Sequence, residues 1–509
     1  MLFNSHAFLF GFLPVVLLAY FAAARRGREY GNLVLALASL FFYAWWDLRY
    51  LPLLLASIVG NYACSLQIRA AHGAARQRWL VAALAGNLAL LGWYKYAGFL
   101  AGSVAQATGW DMPALKIVLP IGISFFTFTQ IAFLVDTARG HVSESRFLHY
   151  LLFVTYFPHL IAGPVLHHGE MMPQFADDRN RWPRAANFAV GATIFFIGLG
   201  KKVLIADSLA PYANVLFAEP HDVSLLVAWG GVLAYAFQLY FDFSGYSDMA
   251  IGLSRLFGVQ LPLNFASPYK ATSIMEFWRR WHMTLSRFLR DYLYIPLGGN
   301  RRGPARRSAN LMATMLLGGL WHGAGWNFVI WGGLHGLYLV IGQAWRALAQ
   351  RMGWRGGTAG ALAGWALTFA AVCVAWVFFR APDLDTALAI LSGMFGAHGV
   401  QLPATLGAHL GGLKSALDAA GIGWYQGGTS RFIETWGWVA AASAIAFALP
   451  NTQQIMHRFA PALDAAGGMA TATRLAWRPA RRHAVLVGTL AVLGLLSLNR
   501  PTDFLYFQF

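Results

Sequence analysis

Apolar and polar segments alternate along the whole chain, and the apolar segments are long. Twelve of them fit helices, at residues 7–24, 31–46, 51–68, 79–94, 115–135, 185–200, 223–241, 309–321, 325–345, 358–379, 432–449 and 484–498. Several are shorter than the ~20 residues that a helix needs to cross a bilayer, so we expect re-entrant and interfacial helices among them. The pattern predicts an all-α, polytopic integral membrane protein with about eleven full crossings.

Composition leads to the same class of protein. Hydrophobic residues make up 58% of the chain and charged residues only 12%, against roughly 25% charged residues in a soluble domain. So few charges could not solvate the surface of a soluble fold of this length. The polar intervals are short and no fixed-period repeat is present, so we expect a single transmembrane domain over residues 1–509.

The formal net charge of +17 first suggests a nucleic-acid partner. Most basic residues, however, stand in short loops beside apolar segments, as the positive-inside rule describes. Those loops carry Arg25, Arg26, Arg28, Arg69, Arg76, Arg78, Arg346, Arg351, Arg355, Arg458, Arg474, Arg478, Arg481 and Arg482. We therefore expect these loops to be cytoplasmic, the lipid bilayer to be the partner, and no nucleic acid to bind. The same rule places the N-terminus, the loop 381–430 and the tail 500–509 outside, with an uncleaved first helix.

The two cysteines indicate packing and not redox chemistry. Cys64 and Cys373 lie inside apolar segments, far apart and without a CxxC motif. We expect no disulfide framework, since buried cysteine usually packs as a small apolar residue.

The stretch from Glu276 to His335 is the densest cluster of Arg, Trp and His in the chain. Within it, His322 stands in GGLWHGAGW, where glycines leave room for a substrate or a neighbouring backbone and indoles form apolar walls. Such surroundings favour the neutral imidazole, which can accept a proton from a hydroxyl. Ionisable groups at membrane depth are functional by default. We therefore predict a general base at His322, the alternative being a hydrogen-bonded core histidine.

His282 lies in FWRRWHMTLSRFLRDYLY, which has helical spacing of apolar residues on one face and arginines on the rest. Residues 270–307 contain nine Lys and Arg against two acids. Two compatible interpretations are a helix at the membrane surface and a binding site for an anionic donor such as a coenzyme A thioester, whose phosphates suit arginine. The candidate donor-binding residues are Arg279, Arg280, Arg287, Trp278 and Trp281. His335, in the following helix, is predicted to be structural.

Two further polar groups need an explanation. Asp242 and Asp248 interrupt an apolar stretch, and we expect them to form structural ion pairs with Arg255 or with the arginines of the basic helix. The HHxE spacing of 167–170 hints at a metal, but no other carboxylate or cysteine stands near in sequence, so we expect no metal site. No Walker loop and no GxSxG elbow is present, which excludes nucleotide-driven transport and a serine-hydrolase elbow in this chain.

At the level of ordered motifs, the chain resembles the membrane-bound O-acyltransferase superfamily, in the bacterial branch typified by the alginate O-acetyltransferase membrane subunit. The resemblance spans nearly the whole length. It is carried by LFNSHAFLFGFLPVVLLAYF, SLFFYAWWDLRYLPLLLASI, LPIGISFFTFTQIAFLVDTARG, FPHLIAGPVLHHGEMMPQF, FDFSGYSDMAIGLSRLFG, NFASPYKATSIMEFWRRWHMTLSRFLRDYLYIPLGGNRRG, LLGGLWHGAGWNFVIWGGLHG and FLYFQF.

This resemblance implies a ring of transmembrane helices around a thinned centre with re-entrant helices and a central channel, and a catalytic core at about 115–345. The superfamily's histidine corresponds to His322, and a second functional polar position to His282. The implied donor is cytoplasmic acetyl-CoA, with no permanently bound cofactor. The implied location is the bacterial inner membrane, where a periplasmic acetyltransferase of the SGNH type passes the acetyl group to sugar hydroxyls in a polysaccharide secretion complex.

Combining the resemblance with the residues, we predict an O-acetyltransferase in which His322 deprotonates the acceptor hydroxyl. His282, with indole or backbone N–H groups, would orient the donor and stabilise charge. The glycan is left open among alginate, cellulose and peptidoglycan types. Three other functions also stay open: D-alanyl transfer to teichoic acid, a glycan export channel, and a purely structural scaffold.

Overall fold

The computed structural model describes residues 1–112, 115, 117–144, 146–161, 163–220, 222–354, 356–463, 473–500 and 505. Two sequence-based expectations concern residues outside these ranges. They are the cytoplasmic position of Arg355 and the external position of the C-terminal tail, of which 501–504 and 506–509 are not described. The described chain is helical apart from one short parallel pair, β1 Gln401–Pro403 with β2 Gly423–Tyr425. The predicted all-α class is confirmed.

Twelve α-helices precede the predicted basic stretch. They are α1 Leu13–Arg26, α2 Arg28–Ala44, α3 Leu51–Ala70, α4 Gly73–Leu91, α5 Ala97–Thr108, α6 Ile123–Ala138, α7 Phe147–Thr155, α8 Phe157–Leu160, α9 His168–Phe175, α10 Ala185–Gly200, α11 Asp207–Ala218 and α12 Leu225–Leu256. Short π-helical segments at Ala7–Phe12, Gly92–Tyr96 and Lys201–Ala206 extend or join several of these helices.

Eleven α-helices follow. They are α13 Ile274–Arg280, α14 Met283–Leu289, α15 Gly303–His322, α16 Trp326–Arg351, α17 Gly357–Arg380, α18 Leu384–Met394, α19 Ala404–Gly407, α20 Gly412–Ala419, α21 Thr429–Ala448, α22 Thr452–Ile455 and α23 Arg481–Leu496. A π-helical turn, Arg290–Tyr294, continues α14. The 3₁₀ turns are Leu48–Tyr50, Asp178–Arg181, Pro268–Lys270 and His457–Phe459.

Within the described residues, six helices are long and apolar enough to cross a membrane: Ala7–Arg26, Leu48–Ala70, Ala185–Ala218, Leu225–Leu256, Trp326–Arg351 and Gly357–Arg380. This finding fits a multi-pass membrane protein. The other apolar helices are shorter or carry more charge, so the figure of about eleven crossings stays a prediction. One predicted boundary is wrong: the segment 115–135 becomes helical only at Ile123, because Pro120 and the left-handed Gly122 (φ 70°) precede it.

Helix α12 is the most buried of these six helices, with 72% of its most apolar stretch inside the protein. It packs against α10 at glycines. A Cβ at Gly191 would lie 2.7 Å from the carbonyl oxygen of Gly252, and a Cβ at Gly252 would lie 2.6 Å from that of Gly191. Small residues of this kind let two helix backbones approach closely inside a membrane. The close packing of α10 against α12 therefore forms part of the buried core of the bundle.

Buried ion pairs join α12 to the segment that follows α10. Lys202 Nζ lies 2.6 Å from Asp242 and 2.7 Å from Asp207, and Lys201 Nζ lies 2.6 Å from Asp248. The prediction that these aspartates form structural ion pairs is confirmed. Both predicted sets of partners, Arg255 and the arginines of the basic helix, are wrong. Lysines of the π-helical segment Lys201–Ala206 face α12 and neutralise the two carboxylates, and Arg280 pairs with Glu276 instead.

Several arginine-rich loops meet at one end of the bundle. Arg181 Nε donates to the Ala24 carbonyl at 3.0 Å, Arg28 donates to that of Ala176 at 2.6 Å, and Arg76 donates to that of Ala138 at 3.4 Å. The carbonyls of helix ends are thereby paired by basic side chains. This shared end is the one that the charge pattern assigns to the cytoplasm.

Candidate active site

His322 is the last residue of α15 and is buried in an aromatic cage, with 6% of its surface exposed. Its ring centroid lies 4.9 Å from that of Trp321, 5.0 Å from Trp331 and 5.2 Å from Phe379, in edge-to-face contacts. These contacts surround the imidazole with apolar rings and favour its neutral form. Of the two indoles in GGLWHGAGW that the sequence offers as walls, Trp321 contacts the imidazole as predicted. The prediction for Trp326 is wrong: its side chain is 58% exposed, and Trp331 of α16 contacts the ring instead, because the close crossing of α15 and α16 brings it there.

The glycines around His322 serve the crossing of α15 and α16. A Cβ at Gly319 would lie 2.2 Å from the Phe328 carbonyl oxygen, and a Cβ at Gly332 would lie 2.3 Å from that of Met315. The two backbones are therefore in direct contact, which brings Trp331 of α16 against His322. Of the two roles foreseen for these glycines, the structure shows the close approach of a neighbouring backbone.

His282 faces His322 across the cage, with 6.4 Å between the ring centroids, and it is 1% exposed. The prediction of one continuous basic helix through it is wrong. Helix α13 ends at Arg280 and α14 begins at Met283, because His282 adopts the left-handed conformation with φ 43°. A non-glycine residue in this region is uncommon and is often found at functional sites. The break turns the imidazole into the core.

Asn264 holds His282 and was not foreseen from the sequence. Its side-chain oxygen accepts hydrogen bonds from the Thr284 hydroxyl at 2.9 Å and from the Thr284 backbone N–H at 3.4 Å, so it acts as an acceptor. The His282 Nδ1 atom lies 3.1 Å from the same oxygen and therefore donates to it. This tautomer leaves Nε2 of His282 as a hydrogen-bond acceptor. The signal available in the sequence was a lone amide residue within the apolar stretch LPLNFA.

Two buried indoles of the cage, Trp321 and Trp331, have N–H groups without a hydrogen-bond partner in the described structure. Buried donors are nearly always paired in folded proteins, so an unpaired cluster calls for an explanation. In a water-poor site, such donors can stabilise a developing negative charge on a substrate oxygen.

His335 contacts the same Trp331 ring as His322 does. The Trp331 ring centroid lies 4.8 Å from that of His335 and 5.0 Å from that of His322. The indole N–H of Trp278 donates to His335 Nδ1 at 3.3 Å. These contacts support the structural role predicted for His335.

A cavity of about 140 Å³ reaches His322 from the end of the bundle opposite the arginine-rich loops. Trp46, Lys95, Ser124, Trp321 and His322 line it, together with the loop 119–123. A small group could therefore approach the imidazole from this side. Lys95 was not foreseen as a site residue, although a lysine between apolar segments is a detectable signal.

The predicted donor-binding residues are spread over several environments. Arg287 forms a two-pronged ion pair with Glu170, at 2.5 and 2.7 Å, and Arg280 pairs with Glu276 at 2.6 Å. Arg279 is exposed to solvent. The two candidate indoles, Trp278 and Trp281, are part-buried and buried respectively, and Trp281 stacks on Phe277 and Tyr269. Donor binding by this set stays a prediction.

Asp136 contacts both the HHxE segment, through His167, and the basic stretch, through Tyr292. Its carboxylate accepts from the Tyr292 hydroxyl at 2.5 Å and lies 2.8 Å from His167 Nε2 and 3.7 Å from His168 Nδ1. Burial, followed by the neighbouring His167, lowers the pKa of His168 to about 4. Since the Gly169 N–H donates to His167 Nδ1 at 3.4 Å, Nε2 is the protonated nitrogen that donates to Asp136. Asp136, His167 and His168 are close enough to hold a metal. The hydrogen bonds that they make instead favour a structural role.

A multi-pass helical core that buries two facing histidines beside unpaired indole donors is compatible with a membrane-embedded acyltransferase. The chain belongs to the MBOAT, membrane-bound O-acyltransferase family, which it matches over residues 17–380. The resemblance drawn from its motifs is confirmed, as is the prediction of an acyltransferase enzyme. The single-domain assignment and the core at 115–345 stay predictions.

Curated relatives fall into three named activities. The chain is 47% identical to the peptidoglycan O-acetyltransferase of Helicobacter pylori over 79% of this chain and 81% of the relative. It is 39% identical to the probable alginate O-acetylase AlgI of Pseudomonas fluorescens over 100% of both chains. A teichoic acid D-alanyltransferase of Streptococcus thermophilus is 29% identical over 44% of this chain and 57% of the relative.

Proposed function

We propose that this protein transfers an acetyl group from cytoplasmic acetyl-CoA to a hydroxyl on the opposite side of the bacterial inner membrane. The observation that carries the proposal is the aromatic cage in which His322 and His282 face each other, 6.4 Å apart between ring centroids, beside unpaired indole N–H groups. A general base and oxyanion donors are what transfer from an activated thioester requires.

In the proposed reaction, His322 takes the proton of the acceptor hydroxyl as its oxygen attacks the thioester carbonyl carbon. The carbonyl oxygen gains negative charge, which the indole N–H groups of Trp321 and Trp331 stabilise. The C–S bond then breaks, the ester is formed, and the thiolate leaves and takes up the proton. His282 accepts a hydrogen bond through Nε2 and orients a reactant, because Asn264 fixes its other nitrogen as a donor.

The proposed acceptor is a hydroxyl on the path to an extracytoplasmic glycan. The relatives named for peptidoglycan and alginate support this class. We propose that a periplasmic acetyltransferase of the SGNH type takes the acetyl group on within a polysaccharide secretion complex. The cavity that reaches His322 from the end opposite the arginine-rich loops is consistent with an acceptor approaching from outside.

Vesicles that contain the purified protein and are supplied with labelled acetyl-CoA on one side test the proposal. We expect label to appear on an acceptor only when the donor is on the side of the arginine-rich loops. Release of coenzyme A without any transferred acetyl group, or transfer from either side, would contradict it. A control with the His322→Ala protein separates enzymatic transfer from spontaneous thioester hydrolysis.

The second candidate is transfer of D-alanine from a carrier-protein thioester. It is favoured by the match to a teichoic acid D-alanyltransferase, although that match covers under half of the chain. The same vesicles, supplied with a D-alanyl carrier protein, distinguish the two donors. A faster reaction with the D-alanyl donor would replace the proposed acetyl transfer.

A further inference from the structure

Lys95 contacts the end of the helix that carries His322. Lys95 lies in the π-helical segment Gly92–Tyr96 between α4 and α5. Its ammonium group donates to the carbonyl oxygens of Trp321 at 2.5 Å and His322 at 3.2 Å, and to the Ser124 hydroxyl at 3.3 Å. All three ammonium protons thus have an acceptor.

The carboxyl end of a helix leaves its last carbonyl groups without intrahelical partners and carries partial negative charge. In α15, the Tyr96 hydroxyl donates to the Leu320 carbonyl at 3.0 Å. Lys95 donates to the next two carbonyls, those of Trp321 and His322. Two adjacent side chains of one π-helical segment therefore complete this helix end. Only one of them is charged, and that one also lines the cavity that opens to His322.

We propose that Lys95 is a positioning residue for the base: it fixes the end of α15 and keeps the imidazole of His322 neutral before substrate arrives. A positive charge within the cage disfavours a second one on the neighbouring ring. Its place at two carbonyls, one belonging to His322 itself, ties the backbone of the base to α4 and α5. A lysine at membrane depth is costly, and this contact explains its presence.

The inference rests on the proposed function, and its test uses the acetyl-transfer assay in vesicles. Lys95→Met removes the charge and all three hydrogen bonds, and Lys95→Arg retains the charge. Tyr96→Phe is the matched control, because it removes a neutral hydrogen bond from the same helix end. The pH dependence of the rate is measured for each variant that elutes as a folded protein on size exclusion.

For Lys95→Met we expect the rate to fall by about tenfold or more and its acid limb to move to higher pH by about one pH unit. Lys95→Arg should restore the position of the acid limb, and Tyr96→Phe should lower the rate without moving the limb. Superimposable pH profiles for Lys95→Met and Tyr96→Phe would overturn the inference while the wild-type activity still stands. A wild-type protein without transfer activity would instead overturn the proposed function.

Discussion

A single hydrogen bond sets the tautomer of His282. Asn264 accepts from Nδ1 of His282, and this choice of tautomer presents Nε2 to the cage. Charge stabilisation is then left to the indole N–H groups, since an unprotonated Nε2 has no proton to donate. In the proposed mechanism, the side chain of Asn264 therefore acts through His282 without contacting a reacting atom.

We predict that Asn264→Leu lowers the acetyl-transfer rate by about 100-fold, because His282 loses the partner that fixes its tautomer. Thr284→Val is the matched control: it removes one donor to Asn264 and leaves the contact with His282. Initial rates with labelled acetyl-CoA measure both. Equal rates for the two folded variants would show that the tautomer of His282 is unimportant.

The crossing of α15 and α16 positions the cage. Gly332 and Gly333 are adjacent on α16 but face different surroundings. A Cβ at Gly332 would lie 2.3 Å from the Met315 carbonyl oxygen, whereas a Cβ at Gly333 would meet its nearest atom, of Leu316, at 3.5 Å. Only the first contact requires the two helices to separate.

We therefore expect Gly332→Ala to lower the melting temperature in detergent by several degrees and to reduce transfer at least tenfold, since Trp331 would move away from His322. Gly333→Ala should behave like the wild type, as it fills ordinary contact space. Thermal unfolding followed by tryptophan fluorescence compares the pair. Equal tolerance of the two alanines would contradict the proposed close contact.

The sequence predicts the helices far better than the interruptions between them. Long apolar segments locate α12, α16 and α17 because burial in apolar surroundings leaves a plain hydropathy pattern. The left-handed turn at His282 is imposed by tertiary contacts with Asn264, and helical spacing continues through it unbroken. The partners of Asp242 and Asp248 were misassigned for a similar reason: which cation faces a buried carboxylate depends on helix rotation.

Across the whole molecule, buried ion pairs hold α12 against α11 and the segment that follows α10. Lys202 bridges Asp242 and Asp207 at 2.6 and 2.7 Å, with all three side chains almost fully buried. Removing one member of such a network leaves uncompensated charge in the core, whereas removing charge from both sides costs less. The network thus joins α12 to α11 and to the π-helical segment Lys201–Ala206.

We predict that Lys202→Met destabilises the protein by about 3–5 kcal/mol, because two carboxylates lose their cation. Adding Asp242→Asn to it should recover part of that loss by removing one of the two buried charges. Chemical unfolding in detergent measures both variants. A double variant less stable than Lys202→Met would show that the carboxylate is stabilised by other groups.

The central claim is that His322 is the base of an acyl transfer. His335 gives a matched control, because it is also buried and contacts the same Trp331 ring. The decisive measurement is single-turnover transfer from labelled acetyl-CoA by His322→Ala and His335→Ala proteins that reconstitute like the wild type. We predict a loss of about 10³-fold or more for His322→Ala and a loss of less than about tenfold for His335→Ala. Wild-type turnover by His322→Ala would contradict it.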